Sequence, residues 1–164
     1  MDEIPDAKKK PKKTSPTVRT LNRLRADGAH LVAVVEKWNR FGGPIGKSGE
    51  RVGNRVDLFG FIDVLAVVPG QVGTLGIQAC AASSLSTRIR KVMDDPVLRQ
   101  RAKWYVAAGN RLLFWGWKQN KKTKRWELKE RDFDEEMDAR KSAEPDGPSQ
   151  LFDATTKGKD HDPF

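Results

Sequence analysis

The chain has 164 residues, 31 of them Lys or Arg and 22 Asp or Glu, giving a formal net charge of +9. With a sequence pI near 9.8 and a mean hydropathy of −0.66, it reads as one domain with solvated tails and an affinity for anionic partners. No apolar run approaches the roughly 18 residues of a membrane-spanning helix. The Lys-rich start is not expected to be a secretory signal. The one cysteine, Cys80, excludes an internal disulfide framework and fits a reducing, cytoplasmic compartment. Together with only two histidines, His30 and His161, it also excludes a finger-type zinc site.

Residues 1–15 carry Lys8-Lys9-Lys10-Pro11-Lys12-Lys13 ahead of any apolar periodicity and read as a disordered basic arm. Such an arm either solubilises the chain or, through Lys9, Lys10, Lys12 and Lys13, binds nucleic-acid phosphates non-specifically. The folded domain is expected from residue 16 to residue 133. Ser15-Pro16 suits the start of a helix, Val18, Leu21 and Leu24 repeat at three-residue spacing, and Gly28 stops it. His30 to Trp38, rich in Val, reads as a strand. Asn39 to Asn54 holds five glycines and a proline in sixteen residues and reads as a long mobile loop.

Val56 to Val68 reads as a long apolar strand, bent or bulged at Gly60, and Thr74 to Ala81 as a third strand after the Pro69-Gly70 turn. Ser84 to Ala108 reads as two helices broken at Asp95-Pro96. The first of them carries an apolar stripe of Leu85, Ile89, Val92 and Met93. Arg111 to Trp117 is a strong strand, with Trp126 to Leu128 paired to it across a Lys-rich turn containing Lys121, Lys122, Lys124 and Arg125. That turn is either an ordinary charged hairpin or a second phosphate-binding patch. Residues 134–164 read as a mostly disordered tail, with at most a short helix near Glu135 to Lys141. The order α-β-β-β-α-α-β-(β) predicts an α/β fold, a central mixed sheet flanked by helices.

An acid within an apolar strand is costly to bury uncompensated. Asp63, between Ile62 and Val64, therefore calls for a metal, a cation or a cleft. Strand parity sets Asp57 and Asp63 on one face of an unbroken strand, Gln78 and Cys80 on one face of the next, and Glu36 with Val32 and Val34 on the first.

The succession of elements, with Glu36, then Asp57-Leu58-Phe59-Gly60-Phe61-Ile62-Asp63, then Gly76-Ile77-Gln78-Ala79-Cys80, resembles the PD-(D/E)XK nuclease superfamily. Within it, the segments Asp57 to Asp63 and Gly76 to Gln78 are similar to those of small phage-type and Holliday-junction-resolvase-like members. The likeness covers about Val18 to Trp117. It implies an αβββαβ restriction-endonuclease-like core, a Mg²⁺- or Mn²⁺-dependent DNA endonuclease, a homodimer and a viral source. It also implies that Asp63 ligates the metal with Gln78, Glu36 and Asp57. Gln78 stands where that family carries Glu or Asp, and Cys80 where it carries Lys. Arg88 or Lys91, on one flank of the following helix, then either replaces the missing lysine or is simply a solvated flank. These departures keep a second reading open, a catalytically degenerate nucleic-acid-binding protein on the same fold. A third is an interaction protein unrelated to nucleic acid. The tryptophans are expected in the core rather than stacked on bases, and Cys80 as a buried small residue rather than a nucleophile.

Overall fold

In the computed structural model, which describes residues 14–39, 42–45, 49–50 and 52–143, helix α1 runs Pro16–Ala26. The Ser15 hydroxyl caps it by accepting the Val18 N–H at 3.2 Å. Five strands follow: β1 (Leu31–Val34), β2 (Lys37–Asn39), β3 (Asn54–Val56), β4 (Val64–Val67) and β5 (Leu75–Ala81). A short 3₁₀ turn leads into α2 (Leu85–Asp94) and α3 (Pro96–Ala107). Between these two helices the Asp95 carboxylate accepts the N–H groups of Val97 and Leu98, so the expected break is a built cap. Strands β6 (Arg111–Gln119) and β7 (Trp126–Asp132) lead to α4 (Phe133–Ala143).

The main sheet has the order β1-β4-β5-β6-β7, while β2 and β3 form a separate hairpin. Only β5 and β6 are parallel; the other pairs of the main sheet are antiparallel. A parallel pair needs a long crossover, which α2 and α3 supply. The two-residue period of β6 divides the core as its sequence predicts. Leu112 and Phe114 pack with Phe61, Val92 and Met93 on the α2 side. Leu113, Trp115 and Trp117 pack with Leu24 and Ile77 on the α1 side. The stripe of α2 is buried at all four expected positions, Leu85, Ile89, Val92 and Met93. A single α/β domain with a mixed sheet and helices on both faces is therefore established.

Several boundaries differ from expectation. The strand expected over His30 to Trp38 is two strands, because the chain leaves the sheet at Val35 and Glu36 and re-pairs as β2. The expected loop over Asn39 to Asn54 is the connection of a hairpin, with Lys37 opposite Val56 and Trp38 opposite Arg55. The strand expected over Val56 to Val68 is interrupted by a tight reversal at Leu58 to Ile62, so unbroken parity does not relate Asp57 to Asp63. β7 extends to Asp132 rather than Leu128.

The short helix expected near Glu135 to Lys141 is longer, the eleven-residue α4. It buries Phe133 and packs Met137 against the same core. Its acids in the first turn and bases in the last complement the helix dipole. The basic arm with Lys9, Lys10, Lys12 and Lys13, and residues 144–164 of the tail, lie outside the described residues. No described helix is long and apolar enough to cross a membrane.

Candidate metal centre

The reversal between β3 and β4 builds the site. Leu58 and Ile62 exchange backbone hydrogen bonds of 2.9 and 3.0 Å, and the Gly60 N–H donates to the Asp57 carbonyl at 3.0 Å. Phe59 and Gly60 turn the chain with φ of 58° and 90°. Glycine takes the second of these values without strain, and a Cβ there would also lie 2.8 Å from Leu98 Cδ2. The reversal brings its two flanking acids, Asp57 and Asp63, to one place. Asp63 then enters the sheet by donating its N–H to the Ile77 carbonyl at 3.0 Å. Its own carbonyl accepts the N–H groups of Val35 at 2.9 Å and Glu36 at 3.4 Å, which ties the first acid to the third. Carboxylate oxygens of Glu36, Asp57 and Asp63 consequently lie within 4.8 Å of one another.

Asp63 is 4 % exposed. Its Oδ2 accepts the Gln78 side-chain amide at 2.6 Å and the Ala79 backbone N–H at 2.7 Å. The register Val64↔Ile77, continued by one residue, sets Asp63 beside Gln78 on the α2 side of the sheet. Burial is the main cause that pushes the Asp63 carboxyl up to about 7. The negative charges of Asp57 and Glu36 add to that rise, and the Ala79 N–H opposes it. Three crowded carboxylates, one of them buried, form an oxygen cage that can hold a hard divalent cation.

Two cations already lean on this cage. Arg55 Nη1 sits 3.1 Å from Glu36 Oε2. Lys91 Nζ lies 4.0 Å from Asp57 Oδ2 and donates to the Gly60 carbonyl at 3.0 Å. The cage opens into a cavity of about 440 Å³ whose walls include Gln78, Arg88 and Lys91 as well as the three acids. Ser15 and Thr17 bring the N-terminus of α1 to its rim, where the positive end of the helix dipole favours anions.

Every acid singled out in the sequence therefore converges here, with Arg88 and Lys91 in the same wall. Gln78 is bonded to Asp63 through its amide nitrogen, so it orients that carboxyl. Arg55 was not anticipated, because its role depends on the β2–β3 pairing that places it near Glu36. Nor was the Ala79 N–H, since a backbone donor leaves no trace in residue type.

Cys80 also lines the cavity, and its thiol is pushed up by burial and by Asp63 while Arg88 draws it down. Among the described residues the one histidine, His30, bonds through its backbone N–H to Val67 at the far end of β4 from Asp63, so no thiol–imidazole couple forms there. Lys121, Lys122, Lys124 and Arg125 lie in the β6–β7 turn, which Asn120 organises by accepting the N–H groups of Lys122 and Thr123. That turn extends β6 beyond the Ala81↔Trp117 pair, at the sheet end where Cys80 and Ala81 border the cavity.

Trp115 and Trp117 are core residues as expected, whereas Trp38, Trp104 and Trp126 are exposed. Arg19 covers the Trp126 ring, its guanidinium carbon 3.2 Å from the ring centre. Comparison with protein-family models, curated proteins and solved structures finds no match, so the resemblance drawn above rests on this chain's own residues.

Proposed function

We propose that the chain is a Mg²⁺- or Mn²⁺-dependent DNA endonuclease. The observation that carries this reading is the convergence of Glu36, Asp57 and Asp63 in a cavity that also holds Arg88 and Lys91. Glu36, Asp57 and Asp63 would hold the divalent ion, which when bound supplies Lewis acidity and a lowered pKa for its water. Asp63 is kept in place by Gln78 and Ala79, so the cage is oriented before the ion arrives. Lys91, fixed by the Gly60 carbonyl, and Arg88 set positive charge against a scissile phosphate and the charge that develops on it. The N-terminus of α1 at the rim favours the neighbouring phosphate through its dipole.

The test is Asp63→Ala. Metal-dependent cleavage is abolished and DNA binding is kept. Cleavage retained in that variant, in a preparation free of host nuclease, removes Asp63 from the mechanism. A second reading, a nuclease-type fold that binds nucleic acid without cutting it, is favoured by one specific feature. A neutral Gln78 and a thiol at Cys80 stand where the resemblance leads one to expect an acid and a lysine. Steeply salt-dependent binding with no cleavage at any Mg²⁺ or Mn²⁺ concentration selects that reading.

A further inference from the structure

Three concavities of the described surface are joined by shared walls. Asp57 lines both the acidic cavity and a neighbour bordered by Lys37, Trp38 and Phe59. Phe59 in turn lines both that neighbour and a third, bordered by Arg101, Trp104 and Tyr105. The walls of the second and third are rich in aromatic side chains that the core does not use. Trp104 is 65 % exposed, Trp38 64 % and Phe59 49 %.

Phe59 is held outward at a positive φ that a bulky residue adopts only at a cost. It is braced by tilted ring contacts to Phe61 and Tyr105, at 6.4 and 6.3 Å between centres. The polar atoms of the third concavity are largely committed within the protein. The Tyr105 hydroxyl is bonded to Thr74, and the Asn110 amide to Thr74 and the Tyr105 carbonyl. An occupant of the third concavity therefore meets ring faces rather than hydrogen-bonding edges, with Arg101 exposed there and Lys37 exposed along the second.

We propose that this track, from Trp104 past Phe59 and Trp38 to the acidic cage, binds an unpaired nucleic-acid strand and delivers it to the cage as substrate. The proposal rests on the nuclease reading for the delivery step but not for the binding itself. Aromatic faces with cations beside them, and few free polar edges, suit bases that stack without being read. A base inside a duplex has no free face to offer, so paired DNA cannot use the track. Charge complementarity points the same way, since Lys37 and Arg101 face a polyanion.

The experiment measures binding of a labelled oligothymidine and of a blunt duplex of equal length to the full chain in EDTA, where metal-dependent cleavage is silent. The single strand binds more tightly than the duplex. Trp104→Ala weakens the single strand about five- to a hundredfold and leaves the duplex unchanged. Trp104→Phe restores most of the loss, and Arg101→Gln weakens binding while steepening no step of the thermal melt. Equal affinity for both forms, or a folded Trp104→Ala protein that binds the single strand as tightly as before, overturns the proposal. So does failure of both oligonucleotides to bind at low salt. Cleavage of the duplex alone in Mg²⁺ likewise refutes delivery through the track while sustaining the nuclease reading. Binding through Trp104 without cleavage in any metal sustains the binding and overturns the nuclease reading, and with it the delivery step.

Discussion

The two faces of the sheet each bury a polar group, and they do so in opposite ways. On the α1 side, Thr20 is fully buried and accepts the indole N–H of Trp117 at 3.0 Å, a neutral donor matched with a neutral acceptor. On the α2 side, Asp63 is nearly as deep, and its two N–H donors are opposed by the carboxylates of Asp57 and Glu36. The first pair is complete as it stands and needs nothing from outside. The second is an arrangement that only a proton or a cation relieves. A buried polar group satisfied by its neighbours is architecture, whereas one crowded by like charge marks a site.

The strongest way to test this contrast is Asp63→Asn. It keeps the shape, removes the charge, abolishes metal-dependent cleavage and leaves the fold intact. Its stability should differ from the parent in a pH-dependent manner. Because the Asp63 carboxyl is held at about 7 in the folded chain, above its ordinary value of about 3.9, the folded state binds this proton more tightly than the unfolded one. Stability from this group is therefore full below about pH 4. It falls as pH rises through the window to about 7, by at most about 1.4 kcal/mol per pH unit, and is level above it. Thermal melts in EDTA across pH 4–8 should show that decline in the parent and a flatter profile in the Asn variant. Added Mg²⁺ should raise the parent's melting temperature at pH 8 and scarcely at pH 5, since the ion competes with the proton. A parent profile as flat as the variant's would mean that Asp63 is not a strained acid.

Thr20→Val probes the other face with a smaller effect. It removes the hydroxyl at nearly constant volume and leaves the Trp117 N–H buried without its acceptor. The expected loss is about 1–3 kcal/mol, read by urea denaturation. Divalent-ion affinity, measured by calorimetry, should not change. A change in ion affinity would couple the two faces and dissolve the distinction between them.

Much of this was legible in the residues, for identifiable reasons. The cap at Ser15, the break at Asp95-Pro96, the apolar stripe of α2 and the alternation along β6 are local signals, and they placed those elements closely. Asp63 stood out because an acid between Ile62 and Val64 has few inexpensive explanations. What escaped notice depended on long-range pairing or on compensation. The Val56 to Val68 segment is apolar throughout, so nothing in its hydropathy separates a long strand from a reversal. The positive φ at Phe59 falls on a residue type that does not advertise turns. The β2–β3 hairpin spans a Gly-rich connection that reads as loop, and with it went the partnership of Arg55 and Glu36. α4 was underread because only Phe133 and Met137 mark its apolar side against a highly charged sequence.

That partnership supports the smallest predicted effect and the sharpest division of roles. Arg55 approaches both oxygens of Glu36, at 3.4 and 3.1 Å, but its own side chain is largely in water. Exposed ion pairs contribute little to stability, so Arg55→Ala should change the unfolding free energy by less than about 1 kcal/mol. Its influence lies elsewhere, because a guanidinium on Glu36 competes for the carboxylate that a divalent ion would use. Removing it makes the cage more negative. Mg²⁺ or Mn²⁺ binding by calorimetry should therefore tighten by a few-fold, while the KM for a DNA substrate rises through loss of a cation near the cavity. Metal affinity that weakens instead would show that Arg55 holds Glu36 in place rather than competing for it, and the cage would then need this fourth side chain to form.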